Sequence, residues 1–492
     1  MGLDSEKEKY SDHARWLFFV AFYAILANIP YWTASRFLGL LPLGWFCVEY
    51  AGVGLLALFL PRIIAAALLL LLIAADLTAG VSKTYFLSPT ECVANVGSLL
   101  ELPHTRFLGV AVVVLLTLLA AAIAACFPMK AIRGYRRRWA AACLVAFAVT
   151  AVSADYLAIV RETGHLPNPL RFQRPSDANK FSRFDNLWIS RYPIVRLIND
   201  QIMMEFRDSA KVSQDYVPSA AALAVHSPGM LSGNREIQEP NLVLVLVESW
   251  GSSLDATIRN SLTGPYGGAD LLARYNVLQG SVPFYGNTVS GEARELCGTR
   301  IGSHIIESSA QALQKCLPSQ LMAQGYHTIS AHGMTGTMFR RSNWYTTIGF
   351  QEQWFKDQFQ QQGLPNCTGA FIGTCDSAVA GWIGTRLERK DADPDFVYWV
   401  TLNSHLPVPI PAELTSAKSC SLAPMLVQQS TLCSWYQLVY NVHQSVSELA
   451  LAPLARPTVF VIVGDHAPPF ANPTLRDQFV SQTVPYVILL PR

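Results

Sequence analysis

Charge is scarce in this chain and nearly balanced. Of 492 residues only 15% are Asp, Glu, Lys or Arg, and the formal net charge is +2. So small an excess raises no strong positive field, which argues against a nucleic-acid binder or any protein that captures polyanions on a basic surface. Internal repeats and low-complexity runs are absent as well, so solenoid and array architectures do not apply. The shortage of charge is uneven. From about residue 15 to about residue 160 the chain is mostly Leu, Ala, Val and Ile, with long uncharged stretches; from about 161 onward polar loops, Pro and Trp give the composition of a soluble domain.

What fills the first part is membrane-length apolar sequence. A bilayer core of about 30 Å needs about 20 apolar residues per helix. Five segments meet that requirement, near 15–33, 43–60, 62–80, 106–127 and 139–160. The first is too long, and too closely followed by further spans, for a cleaved signal peptide alone. Between the fourth and fifth, residues 129–138 carry Lys130, Arg133, Arg136, Arg137 and Arg138 and no acid. Positive charge marks the cytoplasmic side, so five spans predict an N-terminus inside and everything beyond Val160 outside. Cysteine points the same way. The soluble part holds Cys297, Cys316, Cys367, Cys375, Cys420 and Cys433, an even set expected to form three disulfides in an oxidising compartment. Of the fifteen possible pairings, neighbour pairs (297–316, 367–375, 420–433) are favoured because they close short local loops.

Residues 161–240 read as a connector rich in aromatic and basic residues, within which 186–206 is expected to form an amphipathic helix on the membrane surface or a helix packed between domains. From Asn241 the pattern changes. The run 241–247 (NLVLVLV) is a strand buried on both faces, and 327–331, 396–402, 458–463 and 484–490 repeat the type. Helical stretches near 309–323, 376–389 and 434–451 lie between them. Such alternation predicts an α/β domain with a mostly parallel sheet over 241–492, whose chemistry belongs at the carboxyl ends of the strands.

Those ends carry ligand-type residues. The first strand runs into Glu248-Ser249-Trp250-Gly251, and 458–463 runs into Gly464-Asp465-His466. Glu248, Asp465 and His466 form a mixed oxygen and nitrogen set suited to zinc or manganese, with magnesium as a harder alternative. Gly464 would allow the backbone to approach closely where two ligands turn into one cavity. Upstream, Asn287-Thr288-Val289-Ser290-Gly291 precedes a helix-like run, the way a hydroxyl nucleophile is presented at a helix N-terminus, where free N–H groups favour a phosphate dianion. Ser290 is the expected nucleophile and fourth metal ligand; Thr288 and Thr299 are the alternatives.

In this order (strand-Glu, Ser before a helix, His332-Gly333, Asn403-Ser404-His405, Gly464-Asp465-His466) the chain resembles the membrane-bound phospho-alcohol transferases of the alkaline phosphatase/sulfatase superfamily. These include lipoteichoic acid synthases, periplasmic glucan phosphoglycerol transferases and phosphoethanolamine transferases. The resemblance extends to the architecture: an α-helical transmembrane bundle (1–160, five helices), the connector (161–240), and an α/β alkaline-phosphatase-like domain (241–492). It implies that Glu248, Asp465 and His466 hold the metal, with Ser290 falling at the family's nucleophilic threonine. His332 and Arg341 align with substrate-binding positions, while Phe339 and Met334 replace a tryptophan and an aspartate there. His405 matches a histidine that contacts the phosphoryl group or headgroup, and is expected to bind substrate and exchange protons. The activity implied is transfer of phosphoglycerol or phosphoethanolamine from a membrane phospholipid to an envelope glycan or glycolipid. The location implied is a bacterial inner membrane, with the catalytic domain in the periplasm. Two other readings compete. Ser290-Gly291-Glu292-Ala293-Arg294 resembles the sulfatase signature without its proline, and a metal-free sensor of the same fold is the non-enzymatic possibility.

Overall fold

The structure is a computed structural model that describes residues 14–40, 44–85, 89–127, 132, 134–163, 190–194, 197–198, 217–226, 239–284, 286–299, 305, 313–390, 393–410, 418–470 and 472–492. The chain divides into two compact units.

The first unit gathers the apolar helices. Among the described residues four of them, Ala14–Leu38, Arg62–Thr84, His104–Cys126 and Tyr135–Leu157, are long and apolar enough to cross a membrane. The predicted segment 43–60 contains a fifth apolar helix, Val48–Ala57. At 1.5 Å per residue it rises only about 15 Å, half a bilayer core. Its first residues run extended instead: strand β1 (Phe46–Cys47) pairs in parallel with β2 (Ser190–Arg191). Gly44, at φ +138°, lies so close to Ser190 that any Cβ would meet its carbonyl at 2.7 Å. Arg191 is the pin of this arrangement. Its guanidinium is buried on Asp76 at 2.8 Å, and it also donates to Asn28 Oδ1 and to the Gly44 and Trp45 carbonyls. Asp155 accepts the Ser190 N–H and the Tyr192 hydroxyl, and Glu49 accepts the Ile194 N–H. Within the segment 186–206, expected to be helical throughout, residues 190–191 are strand, drawn in by buried carboxylates, while 193–194 and 197–198 are helical. Most of that segment lies outside the described residues, as do 129–131 and 133 of the cationic loop 129–138, whose last four residues open the helix Tyr135–Thr163.

The second unit is built on a seven-stranded sheet in the order β4-β11-β10-β3-β9-β5-β6. Here β3 is Asn241–Val247, β4 Tyr275–Pro283, β5 His327–His332, β6 Glu352–Trp354, β9 Asp395–Val400, β10 Thr458–Gly464 and β11 Thr483–Pro491; a separate hairpin joins β7 (Asn366–Thr368) and β8 (Ile372–Thr374). The five strands from β10 to β6 are parallel, and β11 and β4 extend the sheet antiparallel. The mostly parallel sheet expected from sequence is what forms. Every residue of β3 and β10 is buried, which is why both read as unbroken apolar runs. One face, with Val243, Val245, Trp399 and Ile462, packs on the helices Asp376–Leu387 and Ser430–Leu451. The latter offers Leu432, Trp435, Tyr436, Val439, Val442 and Val446, a helical apolar stripe. The three disulfides join Cys297–Cys316, Cys367–Cys375 and Cys420–Cys433, the neighbour pairing read from sequence.

Candidate active site

Strand register brings the site together. Val247 of β3 pairs with Gly464 of β10, Leu246 with Val400 of β9, and Val400 with His332 of β5. Four carboxyl ends are thus level, so the residues that follow them converge. Gly464 is required for this: a Cβ there would lie 2.0 Å from the Trp250 carbonyl.

Glu248, Asp465 and His466 place one ligand atom each within 4.8 Å of the others, all buried. His466 Nε2 is 3.2 Å from Asp465 Oδ2 and 3.5 Å from Glu248 Oε1. Backbone and hydroxyl donors fix the carboxylates from behind. Asp465 Oδ1 accepts the N–H groups of Ser249 (2.7 Å) and His466 (2.6 Å), and Glu248 Oε1 accepts the Ser249 hydroxyl at 2.8 Å. Ser249 does so from a left-handed backbone, φ +56°, uncommon outside glycine. Asp465 Oδ2, by contrast, is buried and accepts no hydrogen bond among the described residues. Two buried acids side by side repel. Burial and the Glu248 charge push the Asp465 carboxyl up to about 7. Burial would raise Glu248 too, but His405 and His466 hold it below its ordinary value. A donor set of two carboxylates and one imidazole, with an orphaned oxygen turned inward, suits a divalent cation, which would relieve that repulsion.

The two hydroxyls at the start of the next helix have different partners. The helix Thr288–Cys297 starts at an Asn287 cap, whose Oδ1 accepts the Ser290 N–H at 3.1 Å. The Ser290 hydroxyl also donates to Asn287 Oδ1, at 3.2 Å, so it completes the cap. Thr288, the first helical residue, donates its hydroxyl to Glu248 Oε2 at 3.1 Å. The geometry therefore brings Thr288, rather than Ser290, onto the ligand cluster. Thr299 lies past the other end of the helix, beyond the left-handed Gly298.

His332, Arg341 and His405 are also gathered here. His332 Nδ1 meets the Val400 carbonyl at 3.0 Å, and its Nε2 is 3.5 Å from Arg341 Nη1. Burial, then the Arg341 charge, lowers His332 to about 3, so the ring is neutral. Arg341 is held by Glu292, a fully buried carboxylate 3.2 Å from its Nε, which also accepts the Tyr345 and Tyr398 hydroxyls. Burial opposes the Arg341 charge, but Glu292 raises its pKa further. His405 Nδ1 meets the Leu406 carbonyl at 2.7 Å, its ring stands edge-on to Phe371, and its charge is felt at Glu248. Its loop is fixed by Asp376, which accepts the Leu402 and Asn403 N–H groups. Glu292 and Asp376 were not singled out as site residues by the sequence reading; nothing in their local sequence pairs them with partners 49 and 26 positions away.

Residues 240–492, just over half of the chain, match the family model for sulfatases. The chain belongs to the sulfatase family. This is the superfamily to which the motif order pointed. No curated protein sequence gives a significant match. Among solved structures, this sulfatase-family chain is similar to the lipoteichoic acid synthase LtaP from Listeria monocytogenes (16% identity, 58% of this chain and 70% of that one, TM-score 0.39). It is also similar to the Streptococcus pyogenes phosphoglycerol transferase GacH (15%, 58% and 74%, 0.35) and to the periplasmic domain of EptC from Escherichia coli (14%, 52% and 74%, 0.32). Within the region that resembles the sulfatase signature, the Arg294 guanidinium reaches the backbone of the cluster, donating to the Asp465 carbonyl at 3.4 Å. It is buried against Glu295 at 2.6 Å and donates to the Gly464 and Pro283 carbonyls at 2.7 and 3.0 Å. Its work is to tie the helix to the end of β10.

Proposed function

We propose that this protein transfers a phospho-alcohol headgroup, phosphoglycerol or phosphoethanolamine, from a membrane phospholipid to an envelope acceptor through a covalent phospho-threonine at Thr288. The observation that carries this reading is the Thr288 hydroxyl, 3.1 Å from Glu248 at the start of a helix and beside a three-ligand cluster. A helix N-terminus favours the phosphate dianion that the reaction presents.

In the first step Thr288 Oγ1 attacks phosphorus and gives its proton to Glu248. An O–P bond forms, and the P–O bond to diacylglycerol breaks in line. The leaving oxygen takes a proton from His405. With Nδ1 held by the Leu406 carbonyl, Nε2 is the nitrogen that exchanges it. In the second step an acceptor hydroxyl returns a proton to His405 and attacks phosphorus, the bond to Thr288 breaks, and the departing Thr288 oxygen takes back the proton held by Glu248. Arg341, kept charged by Glu292, binds the phosphoryl oxygens, and neutral His332, whose Nδ1–H is donated to the Val400 carbonyl, offers Nε2 as an acceptor to the headgroup. Glu248, Asp465 and His466 would hold a divalent cation, zinc or manganese by donor type, which would supply positive charge to the reaction.

The proposed setting is a bacterial inner membrane with the catalytic domain in the periplasm. Four membrane-length helices and three disulfides in the second unit support it. The ungapped resemblance over 332–350 favours phosphoglycerol, and a glycan or glycolipid is the acceptor expected. Against sulfate-ester hydrolysis stands the missing signature proline, in whose place Glu292 serves as the carboxylate that holds Arg341. The test is to incubate membranes containing the protein with headgroup-labelled phospholipids and locate the trapped group by mass spectrometry. Label on Thr288 supports the reading; an active chain with no labelled residue refutes the covalent step.

A further inference from the structure

The short helix Val96–Glu101 lies in sequence between two membrane-length helices. Yet Ala94–Pro103 belongs with the catalytic unit, not with the helices that flank it. Two of its polar side chains bracket one catalytic loop. Asn95 Oδ1 accepts the backbone N–H of Phe339 at 2.9 Å, and the Glu101 carboxylate pairs with the Lys356 ammonium. Lys356 in turn donates its N–H to the Met334 carbonyl at 3.1 Å. The stretch from His332 to Arg341 is therefore held at its start through Lys356 and near its end through Phe339.

The held point is strained. Phe339 and Arg340 are consecutive non-glycine residues in the left-handed region, φ +54° and +53°. Such a pair persists only where its surroundings enforce it. Arg341 follows directly, with its guanidinium 5.1 Å from the Phe339 ring centre and 3.5 Å from His332. The backbone turn at 339–340 thus decides where the Arg341 side chain starts.

We propose that Asn95 is a positioning residue for the phosphoryl site: by accepting the Phe339 N–H it holds the left-handed turn and so sets Arg341 against His332. This rests on the reading of Arg341 as the group that binds the donor's phosphate. Loss of the acceptor loosens a binding group without touching the nucleophile or the ligands, so ground state and transition state weaken together.

The test compares the full-length chain with Asn95→Ala and Asn95→Asp. With headgroup-labelled phospholipid as donor, Asn95→Ala should raise KM about tenfold, leave kcat within about twofold, and keep metal content near one per chain. Amide exchange across 338–341 should quicken about tenfold. Asn95→Asp retains an oxygen acceptor at the same reach and should restore both. Unchanged KM despite quickened exchange overturns the proposal, as does a fall in kcat accompanied by metal loss. Should the unsubstituted chain transfer no headgroup from any phospholipid, the transfer reading fails by itself. Exchange then decides the positioning role alone: quickening reversed by Asp supports it, and unchanged exchange sinks it.

Discussion

Two hydroxyls, two residues apart, compete for the nucleophile's place, and their replacement by alanine should have very different consequences. Thr288→Ala removes the hydroxyl that lies 3.1 Å from Glu248. When a nucleophile is lost from a covalent mechanism, turnover falls by about 10⁴–10⁶-fold, equivalent to about 5–8 kcal/mol of barrier. Ser290→Ala removes a hydroxyl whose partner is Asn287 Oδ1. The Ser290 N–H still donates to that oxygen, so the helix cap survives. The cost is one hydrogen bond, about 0.5–1.5 kcal/mol of stability, with little change in rate. Thr288→Ser, which keeps a hydroxyl at the same position, should retain measurable turnover. The assay is release of labelled headgroup from phospholipid, paired with intact-mass detection of the phospho-enzyme and a melting curve for each variant. A Thr288→Ala protein within tenfold of full activity, beside a dead but well-folded Ser290→Ala protein, would refute the reasoning and return the nucleophile to Ser290.

Three further outcomes are expected. His405→Ala should lower turnover by about 10²–10⁴-fold, as loss of a general acid–base group does, with metal content unchanged; loss of metal at unchanged folding would instead make His405 a ligand. Chelation should lower the melting temperature, and restoring zinc or manganese to about 100 times its Kd should stabilise by about 2.7 kcal/mol. Asp465→Asn should abolish that response, and an Asp465→Asn chain that still responds would rule out the proposed ligand set. The third concerns pH. Burial lowers His443, hydrogen-bonded through Nδ1 to the Tyr266 hydroxyl at 2.9 Å, from 6.5 to about 3. Its neutral form is therefore favoured by folding. That stability is fully present above pH 6.5 and is lost as pH falls toward 3, at about 1.4 kcal/mol per unit. Denaturant titrations at pH 6.5 and 5 should show about 2 kcal/mol of loss from this group, and His443→Gln should flatten the slope; an unchanged slope would contradict it.

The sheet was readable from sequence because strands buried on both faces cannot hide: 241–247 and 458–464 have no exposed residue to interrupt their apolar runs. The meeting of Glu248, Asp465 and His466 was readable for a related reason, since polar residues directly after such runs must sit at the strand ends. Thr288 against Ser290 was a different kind of question. Successive residues of a helix turn by about 100°, so two hydroxyls two positions apart point in nearly opposite directions. Which one faces Glu248 depends on the helix phase, and that is set in three dimensions by the Asn287 cap. The short helix Val48–Ala57 escaped because its flanks are apolar enough to pass as membrane span, while the strand partner that draws them out lies at 190–191. Asn95 was invisible for a similar reason, its partner being 244 positions away.

The disulfide pattern bears on how the protein is made. Each bridge joins cysteines 19, 8 or 13 positions apart, and no other cysteine lies between the members of a pair. In the proposed topology, a chain threaded outward from its N-terminus delivers these thiols two by two. Among the six cysteines of 241–492, Cys316 emerges when Cys297 alone precedes it, and the next two pairs follow in the same way. Order of arrival thus selects one pairing out of fifteen, so a plain oxidant at the exit of the translocation channel is sufficient. Yield should depend on that oxidant and be indifferent to removal of a disulfide isomerase, whereas a cysteine inserted between Cys297 and Cys316 should make the same chain isomerase-dependent.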